Sequence, residues 1–392
     1  MAESQFERRQ DFPCGMVAAV KIDSERSRIR AALVNSGRYS FEEADDRLSR
    51  SQLSVHLDDD AAKTAAGQAA FLTAVVTGVR CFGEVSVQGA LGGALLVPVP
   101  LEVRTIGDAA AILGARFGPC KLTGRTICIG DRVPHGSGWS VRAFWDGWIA
   151  GVRPPGYGPT IGRGDCVLAG IGSGALAVGQ AFLVEQGDPR AGEALQVLSL
   201  WRPDLGLDGA RDPVPDAFYL PEGFWLFGLG NLGQTYLWAM CMLPFDDATR
   251  VLVFLQDDDL IEEENWGTSI LVQRGRYGIL KTLVAEEWVY RRGFRARRID
   301  RRLDRHLTCG DREPTIALAG LDGMPARRLL GLPGFGYVID AGLGATAADY
   351  QKFRVNVFGK GRDPAQHFAG VEDDRVSAVK ELMGCQRTRN WP

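Results

Sequence analysis

Residues 224–242 constrain this chain more than any other stretch. Phe224, Trp225, Leu226 and Phe227 form an apolar run short enough for a buried strand, and Gly228, Gly230 and Gly233 follow directly as a GxGxxG turn. Residues 232–242 then have the composition of a helix. In the order strand, glycine turn, helix, the first glycine permits the tight turn, the second lets a phosphate approach the backbone, and the third packs helix on strand. The unpaired N–H groups at the helix start are an anion site. A second apolar run, residues 251–255, ends in Asp257, Asp258 and Asp259. A carboxylate at the tip of the second strand is where this arrangement grips a ribose hydroxyl. On its own the turn is a weak signal, and its commonest reading is an NAD or FAD site.

The residues downstream sharpen it. Asp257-x-Asp259-x-Ile261-x-x-x-Asn265, followed by Lys281, resembles the nucleotide site of the ubiquitin-activating-enzyme superfamily, the ThiF/MoeB-like adenylating enzymes. That family carries Asp-x-Asp-x-[Val/Ile]-x-x-Ser-Asn-x-x-Arg-Gln, with a lysine thirteen residues after the arginine. Lys281 stands thirteen after Thr268, so the register holds without a gap. Two departures are visible: Glu264 replaces the family's serine, and Thr268 replaces the arginine that meets the ATP phosphates. Threonine cannot supply an arginine's charge-assisted fork, and Arg274 or Arg276 are the nearby substitutes. Residues 315–321 form a further apolar run ending in Leu321-Asp322-Gly323, where family members carry a carboxylate that helps hold magnesium. Together with Ala326-Arg327-Arg328 and the run from Gly336 to Gly344, this is most similar to the bacterial ubiquitin-activating-enzyme-like proteins found beside ubiquitin-like genes in defence operons.

The resemblance implies an α/β fold: a Rossmann-like, ThiF-type adenylation domain preceded by a second, inactive α/β domain. It implies ATP and magnesium as cofactors and adenylation of the C-terminus of a ubiquitin-like protein. In those terms Gly228, Gly230 and Gly233 admit the phosphates, Asp257 takes the ribose and Asp259 stands near the nucleotide. Asn265 and Lys281 contact phosphates, Lys281 as a point charge on the leaving pyrophosphate. Asp322 holds magnesium through its hard oxygens. Lys281, Asp322 and Cys385 are the expected catalytic residues. Cys385, between Gly384 and the basic run Gln386-Arg387-Thr388-Arg389, has the setting that populates a thiolate and is the candidate for thioester transfer. A homodimer and a ubiquitin-conjugating-enzyme-like partner are further expectations.

Composition agrees with a globular enzyme of this kind. The 392 residues are 45% hydrophobic and 24% charged with a formal net charge of −3, which demands neither a nucleic-acid nor a membrane partner. The eight cysteines include no CxxC pair, arguing against a disulfide framework or a structural zinc site and for a cytoplasmic location. Residues 166–184 are the longest apolar run, but Ser173, Gln180 and four glycines interrupt it, so a buried helix is expected rather than a membrane span.

Read in order, residues 1–60 form a helical lead-in, with helices over 24–34 and 40–53, the second capped by Ser40. Residues 61–205 alternate helix and strand as an α/β unit: a helix over 61–80, strands over 81–87, 95–97 and 126–129, and a helix over 106–113. This unit has no GxGxxG between a strand and a helix, hence its expected inactivity. Residues 136–155 are read as an aromatic hairpin. Gly170-Ile171-Gly172-Ser173-Gly174 lacks the Gly-Lys-[Ser/Thr] ending of a phosphate loop and is read as helix packing. Residues 206–221 are the linker, 222–360 the ATP-binding domain and 361–392 a C-terminal tail, shorter than the strands and helices with which family members continue. Eight arginines within 291–305 are read as a solvated strand edge paired with Asp300 and Asp304, the other reading being a dock for an acidic partner or RNA. Two rival functions stand beside the activating enzyme. A dinucleotide-dependent oxidoreductase leaves Asn265, Lys281 and Asp322 without purpose, and a catalytically degenerate binding protein is suggested by Thr268.

Overall fold

The computed structural model describes residues 24–118, 124–134, 138–156, 164–203, 219–343, 353–359 and 361–371. After a 3-10 turn at Ser24–Arg26, helices α1 (Ser27–Val34) and α2 (Phe41–Arg50) pack on each other through Leu33, Ala44 and Leu48. Ser40 starts α2 as its sequence demands: its hydroxyl accepts the Glu43 N–H at 3.2 Å while its own N–H donates to Glu43 Oε2 at 2.7 Å. This reciprocal pair is a capping box.

The first α/β unit comprises β1 (Gln52–Leu57), α3 (Ala65–Cys81), β2 (Glu84–Gly89), α4 (Ile106–Ile112), β3 (Arg116–Phe117), β4 (Arg125–Ile129), β5 (Ser140–Asp146), β6 (Ile149–Arg153), α5 (Val167–Glu185) and β7 (Gln196–Ser199). Its strands lie in the order β3-β2-β1-β4-β5-β6-β7, parallel as far as β5 and antiparallel at β6 and β7. The helical lead-in therefore stops short of residue 60. Gln52–Leu57 is the central strand of this sheet, with Leu53, Val55 and Leu57 fully buried. A strand covered on both faces shows no alternation in its sequence, and here Ser54 is buried as well. The expected strand over 95–97 is likewise absent; that loop carries one isolated bridge, Ala94 to Thr105.

Helix α5 is long and apolar enough to cross a membrane by composition, but Gly170 and Gly174 pack it against α3. A Cβ on Gly170 would lie 2.1 Å from the Ala66 carbonyl oxygen, and one on Gly174 would lie 2.2 Å from that of Ala70. Ser173 Oγ donates to the carbonyl of Phe144 and receives the Gly151 N–H, tying α5 to the β5–β6 hairpin. The glycine run is thus a helix-packing face, as its sequence suggests.

The second unit comprises β8 (Gly223–Phe227), α6 (Asn231–Met242), β9 (Leu252–Gln256), α7 (Lys281–Arg291), β10 (Arg295–Ile299), β11 (Ile316–Ala319), α8 (Met324–Arg328), β12 (Tyr337–Leu343), β13 (Phe353–Phe358) and α9 (Pro364–His367). Strand order is β10-β9-β8-β11-β12-β13, parallel except for β13. Counted within the unit this is 3-2-1-4-5-6, the doubly wound order, and it reverses between β8 and β11. The first unit repeats the same order over its first six strands. Phe368, just past α9, is buried against Phe358, so the unit runs beyond residue 360. The two units share one apolar core, and Trp238 Nε1 of α6 donates to Thr73 Oγ1 of α3 at 3.1 Å. Residues 206–218 of the expected linker and Cys385 lie outside the described residues.

Strand β10 is an edge strand; Arg298 on it pairs with Asp300 and Arg301 beyond it with Asp304 at 3.0 Å as expected, whereas Arg297 pairs with Glu313 and Arg302 with Asp258.

Candidate functional site

In open α/β sheets ligands bind beyond the carboxyl ends of the strands where the strand order reverses. A cavity of about 650 Å³ occupies that position. The turn from β8 into α6 (Gly230, Asn231), the loops after β9 (Asp259, Leu260) and β11 (Gly320, Asp322) and the last residues of β12 (Gly342, Leu343) build it. Asn265, within the loop from β9 to α7, and Lys281, the first residue of α7, also line it.

The glycine turn divides its labour. Gly228 sits at φ +76°, a conformation L side chains rarely adopt. A Cβ on Gly233 would come within 1.9 Å of the Gly228 carbonyl oxygen, so the third glycine lets α6 start against the turn. Gly230 has no atom within 4 Å of where its Cβ would be, faces the cavity and is the N-cap of α6. The middle glycine thus leaves the start of α6 open to the cavity.

Asp257 behaves differently from expectation. Its carboxylate accepts the Leu229 N–H at 2.6 Å and the Asp259 N–H at 2.8 Å, and it is not among the residues lining the cavity. It therefore braces the glycine turn from beneath, whereas a ribose contact was expected. Burial pushes its pKa up, and the two backbone N–H groups act against that rise. Of the Asp257-x-Asp259 pair, Asp259 is the one on the cavity wall. Its Oδ2 accepts from Lys281 Nζ at 2.7 Å, and its carbonyl accepts the Lys281 N–H at 3.0 Å. Asn265 is buried, its Oδ1 accepting the Glu262 N–H at 2.9 Å. Asp322 is exposed on the loop after β11. Gly230, Asp259, Asn265, Lys281 and Asp322 thus meet in one cavity, while Gly228, Gly233 and Asp257 shape it.

The proposed substitutes for the missing arginine do not reach the cavity. Arg274 pairs with Glu25 at 2.8 Å and lies 4.0 Å from the Trp266 ring centroid, and Arg276 makes a two-pronged pair with Glu287. Two other arginines line it. Arg28 comes from α1, whose preceding turn is tied to the loop between β9 and α7 by Glu25, and it pairs with Glu264. Arg327 of α8 donates to the Leu321 carbonyl at 2.9 Å and the Ala341 carbonyl at 2.8 Å, and lies 3.4 Å from buried Asp340. Neither was singled out for this cavity in the sequence. Arg327 was legible within the Ala-Arg-Arg signature, but nothing local marks Arg28, which arrives by a contact spanning more than two hundred residues.

Fold and cavity define a doubly wound α/β protein with a polar, two-signed pocket at its switch point. Residues 52–200 match the family described as the BilD N-terminal domain, and residues 220–390 match the BilD C-terminal domain. A bacterial E1-like protein BilD of Collimonas sp. (strain OK412) is 29% identical over 336 residues, covering 84% of this chain and 72% of that protein. Both units of the chain thus match BilD family models, and the relative is described as an E1-like protein. Two solved structures of E. coli MccB, one with ATP and one with succinimide, are similar at 17% and 16% identity with TM-scores of 0.26 and 0.28. These matches cover 31% and 43% of this chain, and this chain spans 36% and 48% of theirs.

Proposed function

We propose that this protein activates a ubiquitin-like protein by ATP-dependent adenylation of its C-terminal carboxylate. The observation that carries the reading is the meeting of Gly230, Asn265, Lys281 and Asp322 around one cavity at the switch point of the second sheet. Attack of a carboxylate on an α-phosphate asks the protein to neutralise phosphate charge and to hold two anions in line. The start of α6 at Gly230 supplies backbone N–H groups, and Lys281 and Asn265 flank the triphosphate. Arg28 and Arg327 bring the cationic charge that Thr268 does not. Asp322 offers the oxygen ligand that magnesium favours, the ion neutralising phosphate charge when bound. Asp259 holds the Lys281 ammonium at a fixed place on the wall.

In this reading the first unit is the silent half. The turn after its central strand holds Asp58 in place of glycines, and that carboxylate receives the N–H groups of Asp60, Asp131 and Arg132. Its switch point is filled by the protein's own hydrogen bonds. Transfer of the acyl group from the adenylate to Cys385 as a thioester, releasing AMP, would follow, in a cytoplasmic setting, with a ubiquitin-conjugating-enzyme-like protein receiving it in a defence pathway. A homodimer belongs to the same proposal. A nicotinamide-dependent oxidoreductase fits less well, since among the described residues the lining includes no His or Tyr to serve as general acid. A degenerate binding protein is the second reading, favoured by Thr268 alone.

The test is ATP–pyrophosphate exchange in the presence of a candidate ubiquitin-like protein. Exchange that depends on that protein and its C-terminal carboxylate, and that disappears in Asp322→Ala, supports the proposal. Tight ATP binding with no exchange for any carrier supports the degenerate relative.

A further inference from the structure

A second cavity, of about 380 Å³, lies between the two units on the far side of the loop that joins β9 to α7. Its volume falls in the ~300–1,000 Å³ range of small-molecule sites. One wall is cationic, formed by Arg26, Arg80, Arg116 and Arg274; the other is apolar and includes Leu101 and Ile112. Glu84 is the one acidic residue in its lining, and it pairs loosely with Arg116 at 3.7 Å.

The guanidinium of Arg80 is the anomaly at its centre. Arg80 is 7% exposed, and its Nη atoms donate to the backbone carbonyls of Trp266, Ile270 and Val272 at 2.9–3.0 Å. Its Nε has no hydrogen-bond partner, and no carboxylate lies within ion-pair distance of it among the described residues. Burial lowers its pKa to about 10, which leaves it charged at neutral pH. The guanidinium carbons of Arg26, Arg80 and Arg274 lie 5.4, 4.8 and 4.0 Å from the Trp266 ring centroid, so three cations crowd one indole. Glu25 relieves part of this charge by pairing with Arg274 at 2.8 Å, and concentrating the remaining like charge in a half-enclosed space favours a further anion.

We infer that this inter-unit cavity is a binding site for a small phosphate-bearing molecule, its phosphate among Arg26, Arg116 and Arg274 and its apolar body against Leu101 and Ile112. Guanidinium groups suit phosphate because their N–H donors pair with its oxygens two at a time. The inference stands whether or not the first cavity takes ATP. Trp266 follows Asn265 directly, and the loop that carries it ends at Lys281, so one segment forms part of both cavities.

The test is calorimetric titration of the full chain with phenyl phosphate, which joins a phosphate to a flat apolar body. Three variants accompany it: Arg116→Glu and Ile112→Glu, both at exposed positions that the fold tolerates, and Lys281→Ala in the other cavity. The expected result is saturable binding that weakens at least tenfold in Arg116→Glu and in Ile112→Glu and is unchanged in Lys281→Ala. Absence of binding to the wild type overturns the inference. So does binding that survives both substitutions in the inter-unit cavity, or that is lost in Lys281→Ala, which would place the ligand at the first site.

Discussion

Lys281 and Asp259 are joined twice, by an ion pair of 2.7 Å between side chains and by a 3.0 Å hydrogen bond from the Lys281 N–H to the Asp259 carbonyl. The long loop after β9 is thereby pinned where it returns to the sheet and enters α7. The Lys281 side chain is 11% exposed, so its charge is held at the cavity wall and not spread through solvent. On the proposed function, replacing Lys281 by Ala removes a charge-assisted phosphate contact, worth ~1.5–3 kcal/mol. ATP affinity measured by calorimetry is expected to fall about 10–100-fold, with the unfolding midpoint little changed.

The three glycines of the turn separate experimentally. Gly233→Ala forces a methyl group against the Gly228 carbonyl and is expected to destabilise the protein by ~3 kcal/mol, at the upper end of overpacking costs. Gly230→Ala meets nothing in the free protein, so its stability should be near wild type while its nucleotide affinity falls. Chemical denaturation of both variants, set beside nucleotide titration of Gly230→Ala, checks the division. Equal destabilisation by the two would contradict it.

Gly174→Ala tests the contact between α3 and α5 in the same way. The added methyl would lie 2.2 Å from the Ala70 carbonyl, a backbone atom that cannot swing aside. A loss of ~1–3 kcal/mol in denaturant unfolding is expected.

The stability of the protein should depend on the protonation of His56. Burial, the largest influence, lowers its pKa from 6.5; Asp58 and Asp59 act in the opposite direction, and Arg132 adds to the lowering. The folded state therefore favours the neutral ring, and the unfolded chain binds more protons as pH falls through 6.5. Stability from this group is present above that pH and is lost as pH falls towards the folded value. Thermal unfolding between pH 7.5 and 5.5 should show a smaller decline in His56→Gln than in the wild type.

The cysteines sort by reactivity. Burial pushes the thiols of Cys128 and Cys241 up to about 12 and that of Cys81 to about 11. Brief alkylation of the folded protein at neutral pH, read by mass spectrometry, should leave these three unmodified.

The second unit was far more legible than the first. Its strand, glycine turn and helix are local signals, and β8, α6, β9 and the loop carrying Asp322 fall within a few residues of their expected places. The first unit hides its central strand, since Gln52–Leu57 mixes Ser54 and His56 into an apolar run and is recognised as a strand only by the partners that flank it. Within the site, residues set by local motifs came together. What the sequence misplaced was decided by tertiary contact. Asp257 turned under the loop because two backbone N–H groups claimed its carboxylate, and Arg28 reached the cavity because α1 crosses to the second unit.

The central claim is that the cavity at the switch point takes ATP with magnesium. Isothermal calorimetry with ATP, AMP and NAD in the presence of magnesium, on the wild type and on Asp322→Ala, tests it most directly. The account predicts saturable ATP binding that is strongly weakened in Asp322→Ala, with no preference for NAD. Preferential binding of NAD, or ATP binding indifferent to Asp322, would contradict it.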